Sequence, residues 1–466
     1  MKQHTFGQID FANGGMLSNI LKSALPLLLA QVLNLLYNIV DRIYIARIPS
    51  LGTTAIGSVG LCFPIIITIT AFTNLYGSGG APLFSIAYGS GDTARAQKLM
   101  NLSFRLEILT ALVLMTAGEL FCRPLLILFG ASSVTLPYAQ MYLRIYLLGT
   151  LFSMTATGMN PYINAQGFPV AGMVTVAAGA VCNIILDPFF IFVLNLGIRG
   201  AAIATVLSQA LSALLAVRFL TGKTAIMRIA KLSWREFLHS GAQIRSIVSL
   251  GLSSFVMQIT NSLVSVACNS VLSRTGGDLY VSIMTIISSV RQIMDTPILA
   301  IADGSSPVIS YNYGARRPVR VRKGILILSL LGFTYTIAAW IFIVTKSGLV
   351  ISIFSSDRTI LEDTIPALHL YFFAFVFQTF QYTGQTTFKA LGKKNHAIFF
   401  SLLRKVVIVV PLTYLLPYAF HMGTRGVFMA EPVSNVIGGL ACFITMLVTV
   451  MPELKRMAPG RDHPNL

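Results

Sequence analysis

Cys182-Asn183-Ile184-Ile185-Leu186-Asp187-Pro188-Phe189-Phe190-Ile191-Phe192 sets a carboxylate and a carboxamide inside a run otherwise apolar enough to cross a bilayer. A charge at membrane depth costs from about 3 to more than about 10 kcal/mol, depending on the measure, so it is seldom kept for packing alone. Leu35-Leu36-Tyr37-Asn38-Ile39-Val40-Asp41 poses the same problem near the end of the first apolar span. Two such aspartates in one half of a chain point to a site for protons or cations.

The surrounding composition leaves little choice of solvent. The chain has 466 residues, 55% hydrophobic and 11% charged, with mean hydropathy +0.75. Soluble proteins carry about 25% charged residues, so this chain cannot clothe a globule in polar surface. An integral membrane protein is expected. The start, Met1-Lys2-Gln3-His4, lacks the layout of a cleaved signal peptide, and the first span should be retained.

The net charge of +18 raises the question of nucleic acid, but the cations sit where a membrane protein keeps them. Arg218, Lys223, Arg228, Lys231, Arg235 and Arg245 fall in one loop, and Arg316, Arg317, Arg320, Arg322 and Lys323 in another, both after even-numbered spans. The positive-inside bias then places both termini in the cytoplasm, with the basic loops against anionic lipid. No nucleic-acid partner is expected. The cysteines at 62, 122, 182, 268 and 442 have neither metal nor disulfide spacing.

Twelve mostly apolar stretches of transmembrane length fall near 20–46, 55–87, 99–121, 136–158, 168–194, 198–220, 246–272, 279–311, 324–345, 364–389, 395–418 and 424–450. They divide into an N-lobe (1–220, spans 1–6), a cytoplasmic linker (221–245), a C-lobe (246–450, spans 7–12) and a cytoplasmic tail (451–466). The halves repeat. Pro82, Ser85, Tyr88 and Gly89 recur 225 residues later as Pro307, Ser310, Tyr313 and Gly314. Phe152, Ala165 and Gly167 recur at the same offset as Phe377, Ala390 and Gly392, while Gln31, Asn34 and Arg47 recur at 227 as Gln258, Asn261 and Arg274. Six spans per half is an even number, so both halves enter from one side, related by a pseudo-twofold axis along the membrane normal with a cavity between two bundles. The fold class is an all-α polytopic membrane protein. At these offsets Asp41 corresponds to Cys268, Asn183 to Ile408 and Asp187 to Leu412. The carboxylates are not duplicated, which favours function over scaffold.

These features resemble the multidrug and toxic compound extrusion (MATE) family over essentially the whole chain. The resemblance rests on Ala165-Gln166-Gly167-Phe168-Pro169, Asn183 to Pro188, and Leu196-Gly197-Ile198-Arg199-Gly200-Ala201-Ala202-Ile203-Ala204-Thr205. Ser306 to Ala315 supports it, and Phe388-Lys389-Ala390-Leu391-Gly392 with Leu403-Arg404-Lys405 is similar to the MepA-like bacterial branch. The resemblance implies a secondary antiporter that exports amphipathic, often cationic, drugs in exchange for H⁺ or Na⁺ by alternating access. It also implies a coupling site at Asp41, Asn183, Asp187 and Thr205. Members that couple through C-lobe acids would place them at Asn261 and Gln381 here, neither of which titrates.

Depth along the helices agrees with such a site. Asp41 lies five residues, and Asp187 and Thr205 seven, from the outer ends of their spans, roughly 8–10 Å below the surface at helical rise. Asn183 is one turn from Asp187 on the same face. Two carboxylates, an amide and a hydroxyl serve either a shared proton or an all-oxygen shell for Na⁺, and both chemistries stay open. In the second case the four residues are a metal site. Pro26 weakens span 1 and is a candidate gating kink. Tyr37, Asn160, Gln378 and Gln381 are candidates for the substrate cavity. Asp303, Glu107 and Glu431 are candidates for coupling, for helix-to-helix ties or for end positions, and Arg291 and Asp295 for a pair within span 8.

The rival reading is a flippase of the same superfamily for a lipid-linked precursor, which calls for more cavity cations than the mid-span Arg105, Arg291, Arg404 and Lys405. An enzyme is not expected: there is no metal-spaced His or Cys cluster and no local Ser/His/Asp arrangement. No cofactor is expected beyond the coupling ion, and the partners are small organic cations or drugs and lipid, with a monomer as the unit.

Overall fold

A computed structural model describes residues 7–49, 51–230, 233–354 and 358–457, and among these it contains helices and no strand. The helices follow the apolar stretches. They are α1 (Met16–Ala46), α2 (Thr54–Gly89), α3 (Thr93–Leu128), α4 in two pieces (Leu136–Leu148 and Thr150–Ala165), α5 (Pro169–Val193) and α6 (Ile198–Thr221). A single run, Gly241–Gly314, holds α7 and α8, broken at Gly277 with φ 70° and ψ −167°. Then come α9 (Pro318–Thr345), α10 in pieces (Arg358–Phe372 and Gln378–Ala390), α11 (Lys394–Tyr418) and α12 (Thr424–Arg456). Among the described residues nine helices are long and apolar enough to cross a membrane. The Gly241–Gly314 run supplies two spans, and the broken α4 and α10 complete twelve. Large apolar side chains such as Leu120, Leu128 and Val266 stand exposed, as a lipid-facing surface requires. The chain is a multi-pass membrane protein.

By internal contact the chain forms two units. The first is built on Leu25–Phe255 with the N-terminal stretch through Asp10, and the second on the chain from Val256 together with Phe11–Ala24. The boundary thus cuts α1 one residue before Pro26. The segment between α6 and α7 packs on the first unit: Asn101 Oδ1 accepts from Ala230 N–H at 3.1 Å and Gln166 Oε1 from Met227 N–H at 2.9 Å. A short helix there, Trp234–Leu238, opens with a Ser233/Glu236 capping box, whose N–H bonds hold the Glu236 carboxyl below its ordinary range.

Backbone conformation carries the repeat further than side-chain identity does. Gly167 (φ 90°) and Gly392 (φ 70°) recur at 225, as do Gly91 (φ 82°) and Arg316 (φ 53°). Asn195 (φ 52°) and Gly197 (φ 55°) recur as His421 (φ 53°) and Gly423 (φ 56°), now at 226. One residue has therefore been gained between Gly392 and His421. The stretch contains a π-helical segment, Leu403–Val409. Such segments take up inserted residues. The gain corrects the pairing read from sequence: the counterpart of Asp187 is Thr413, not Leu412, and that of Asn183 is Val409, not Ile408. Thr413 is fully buried and its Oγ1 lies 3.9 Å from Sγ of Cys268, the counterpart of Asp41. Leu412 is only half-buried.

The helix breaks repeat as well. α4 breaks at Gly149, and α10 at Ala374, 225 residues later, where a turn of 3₁₀ helix (Phe375–Phe377) follows. So do the closest helix crossings. A Cβ on Gly79 would lie 2.7 Å from Gly251 Cα in the first unit, and one on Gly304 2.7 Å from Ala24 Cα in the second. Backbones this close exclude any larger side chain.

Candidate functional site

In the first unit α1 brings Asp41, and α5 brings Asp187 and Asn183, to one place. Asp187 is fully buried and Asn183 nearly so. Asn183 Nδ2 donates to Asp187 Oδ1 at 3.2 Å, and the carboxyl of Asp41 is within hydrogen-bonding reach of that of Asp187. Among the described residues, Asp41 Oδ1, Asp187 Oδ2 and Asn183 Oδ1 are buried without a hydrogen-bond donor. Two carboxylates facing each other at low dielectric repel strongly unless a proton or cation lies between them. The set of orphaned acceptors is suited to that positive charge. Thr205 is also buried, but its hydroxyl proton goes to Ala201 O of its own helix at 3.0 Å. Only its oxygen lone pair is left for an ion.

Tyr37 lies near both carboxyls and Tyr146. Tyr146, three residues before the Gly149 break, lies close to Gln209 and Ser153. Tyr142 stacks on it, with centroids 6.2 Å apart and planes 17° apart. Sequence reasoning missed Tyr142, Tyr146 and Gln209; a signal existed for one, since Tyr146 recurs as Tyr371 at the 225 offset. The other cavity candidates sit in packed contacts. Asn160 Nδ2 bonds Gly172 O at 2.8 Å and Thr175 Oγ1 at 3.0 Å, tying α4 to α5. Gln381 Nε2 bonds Gln385 Oε1 at 2.8 Å. Glu107 on α3 is fully buried with both oxygens lacking a partner among the described residues, its carboxyl filling the space a side chain at Gly158 would need.

The second unit assembles a different cluster. Glu431 on α12 receives Arg291 Nη2 at 2.6 Å, Arg404 Nη2 at 2.7 Å and Lys405 Nζ at 3.1 Å, all on Oε1. Arg291 Nε reaches Asp295 at 3.2 Å, and its Nη1 donates to Tyr371 at 2.6 Å. Gln378 Nε2 donates to the other oxygen of Asp295 at 2.8 Å. The pair within α8 and the Glu431 tie are therefore parts of one network joining α8, α10, α11 and α12. Among the described residues no group of three or more His, Cys, Asp or Glu could hold a metal ion.

The chain is similar to known proteins over most of its length. The MatE family model matches twice, over residues 26–189 and 253–415. The multidrug export protein MepA of Staphylococcus haemolyticus is 23% identical over 446 residues, with 94% of each chain covered. A FAD transporter of Shewanella oneidensis is 23% identical, with 91% of this chain and 93% of that one covered. Among solved structures, MATE in complex with MaD3S has a TM-score of 0.89 at 23% identity, covering 97% of this chain and all of that one. A MOP superfamily transporter from Pyrococcus furiosus has a TM-score of 0.89 at 24% identity and the same coverage. With one copy of the family model in each half, the chain belongs to the MatE family.

Proposed function

We propose that this protein is a secondary antiporter of a bacterial cytoplasmic membrane. It exports amphipathic, often cationic, organic compounds in exchange for H⁺ or Na⁺, with both termini in the cytoplasm. The observation that carries the reading is the meeting of Asp41 and Asp187 with three donorless oxygens around them. Coupling needs a group whose affinity for the driving ion differs between access states, since a ligand of equal affinity shifts nothing. Asp41 sits on α1, whose two parts belong to different contact units with the division between Ala24 and Leu25, just before Pro26. A change of charge at Asp41 can thereby be felt as bending of α1. Carboxyl-to-carboxyl contact favours a proton; the orphaned oxygens with Asn183 and Thr205 would serve Na⁺. The names of the relatives, drug export and FAD transport, favour carriage of soluble organic compounds over a lipid-linked precursor.

The test is dye efflux from proteoliposomes under separately imposed H⁺ and Na⁺ gradients. Ethidium should move with one gradient and not the other in the wild type, and with neither in Asp187→Asn. Uptake or release driven by ATP alone, or by no gradient at all, would overturn the reading.

A further inference from the structure

We propose that the cation-rich cluster of the second unit is a binding site for an anionic group, a carboxylate or phosphate borne by an organic compound or free as an inorganic anion. Three cations, Arg291, Arg404 and Lys405, face two carboxylates, Asp295 and Glu431. The cluster as it stands holds one positive charge in excess, inside spans where an unbalanced charge is expensive. Hydrogen bonding shows the same imbalance. Glu431 Oε1 serves all three cations and Oε2 takes one longer bond from Lys405 at 3.3 Å, while among the described residues Arg404 Nε is buried with no acceptor. Arg404 and Lys405 are 6% and 7% exposed, so water does not make up the difference. One more acceptor-bearing anion beside Arg404 would balance both the charge and the donors, with the planar guanidinium able to grip two of its oxygens.

The arrangement is not needed by the fold. In the repeat, the stretch corresponding to Arg404-Lys405 is Ala178-Gly179-Ala180, and Glu431 falls on Thr205. The first unit builds the same helices without these charges. Nor is the cluster sealed. The side chains of Arg291 and Asp295 are 17% and 14% exposed, which gives a ligand an approach from that end. The competing account is that Lys405 sheds its proton and the network is simply a neutral tie.

The site goes beyond the antiport reading, and its binding can be read without any ion gradient, so the two can fail separately. The experiment uses the full chain in detergent, in a bis-tris methanesulfonate buffer, with 5-carboxyfluorescein as the probe and fluorescence polarisation as the readout. Saturable binding is expected, weakened about tenfold or more in Lys405→Met but less than about threefold in Lys405→Arg and Asp41→Asn. Displacement of the dye by millimolar phosphate or chloride assigns the site to a free inorganic anion; resistance to both assigns it to an anionic group on an organic compound. If Lys405→Met does not fold, the wild-type thermal midpoint decides: it should rise with probe or phosphate. No saturable binding and no rise, or dye binding by Lys405→Met as tight as wild type, overturns the proposal in favour of the neutral tie.

Discussion

Around Asp41 and Asp187 acceptors outnumber donors, whereas around Glu431 donors outnumber acceptors. The two regions occupy matching places in the repeat. Asp41 falls on Cys268, Asp187 on Thr413, Thr205 on Glu431 and Tyr146 on Tyr371. What the duplication holds constant is backbone: the positive-φ turns, the breaks at Gly149 and Ala374, and the crossings at Gly79 and Gly304. What it leaves free is polarity. A helix scaffold in lipid is fixed by close packing and backbone hydrogen bonds, and it tolerates different buried charges as long as each finds a partner. The contrast predicts that the first region is built for exchange of a small cation and the second to hold an anion among its cations.

The largest effect should come from the first region. Asp41→Asn or Asp187→Asn should abolish gradient-driven ethidium export from cells matched for inserted protein, with thermal stability unchanged or raised because a buried charge is gone. If both variants export at wild-type rates and still respond to the gradient, the aspartates are structural and the contrast collapses. Glu431→Gln should act the other way, through stability. Taking the shared carboxylate from three buried cations should cost about 3–5 kcal/mol, seen as a lowered unfolding midpoint in detergent. A midpoint equal to wild type would mean the cations are balanced by something other than Glu431.

Smaller effects refine the comparison. Asn160→Ala removes two buried hydrogen bonds between α4 and α5 and should cost about 1–3 kcal/mol while leaving ion dependence intact. A lost gradient response at normal stability would instead draw Asn160 into transport. Smallest of all, Asn261→Ala and Gln381→Ala should keep ion-coupled export, because neither side chain can carry the coupling charge. Loss of gradient dependence with dye binding preserved would move coupling into the second unit.

Much of this was legible beforehand because hydrophobic length and repeat offsets are properties of the chain itself. The span positions needed only the apolar runs, and Asp41 with Asp187 announced themselves by being charged where charge is expensive. What was hidden depended on contacts distant in sequence. Nothing local says that Arg404 and Lys405 turn toward Glu431, or that Gln209 reaches Tyr146. The Asp187–Leu412 pairing went astray for a related reason. A single residue gained beside a π-helical segment shifts the facing of everything after it, and side-chain identities nearby are too few to register it. Asn160 stands out in the sequence only as a polar residue in an apolar span; its partners, Gly172 and Thr175, lie one helix away.

The paired breaks in α4 and α10 carry a consequence for hydration. The helices that restart at Thr150 and Gln378 open without a side-chain cap on their first turn of N–H groups. In hydrocarbon such groups are not tolerated unless protein or water satisfies them. Tyr146 and Tyr371, each three residues before its break, stand beside these two uncapped helix starts. A proton or ion travelling to Asp187, or an anion to Arg404, would then find a wetted stretch of backbone beside its destination rather than unbroken apolar wall.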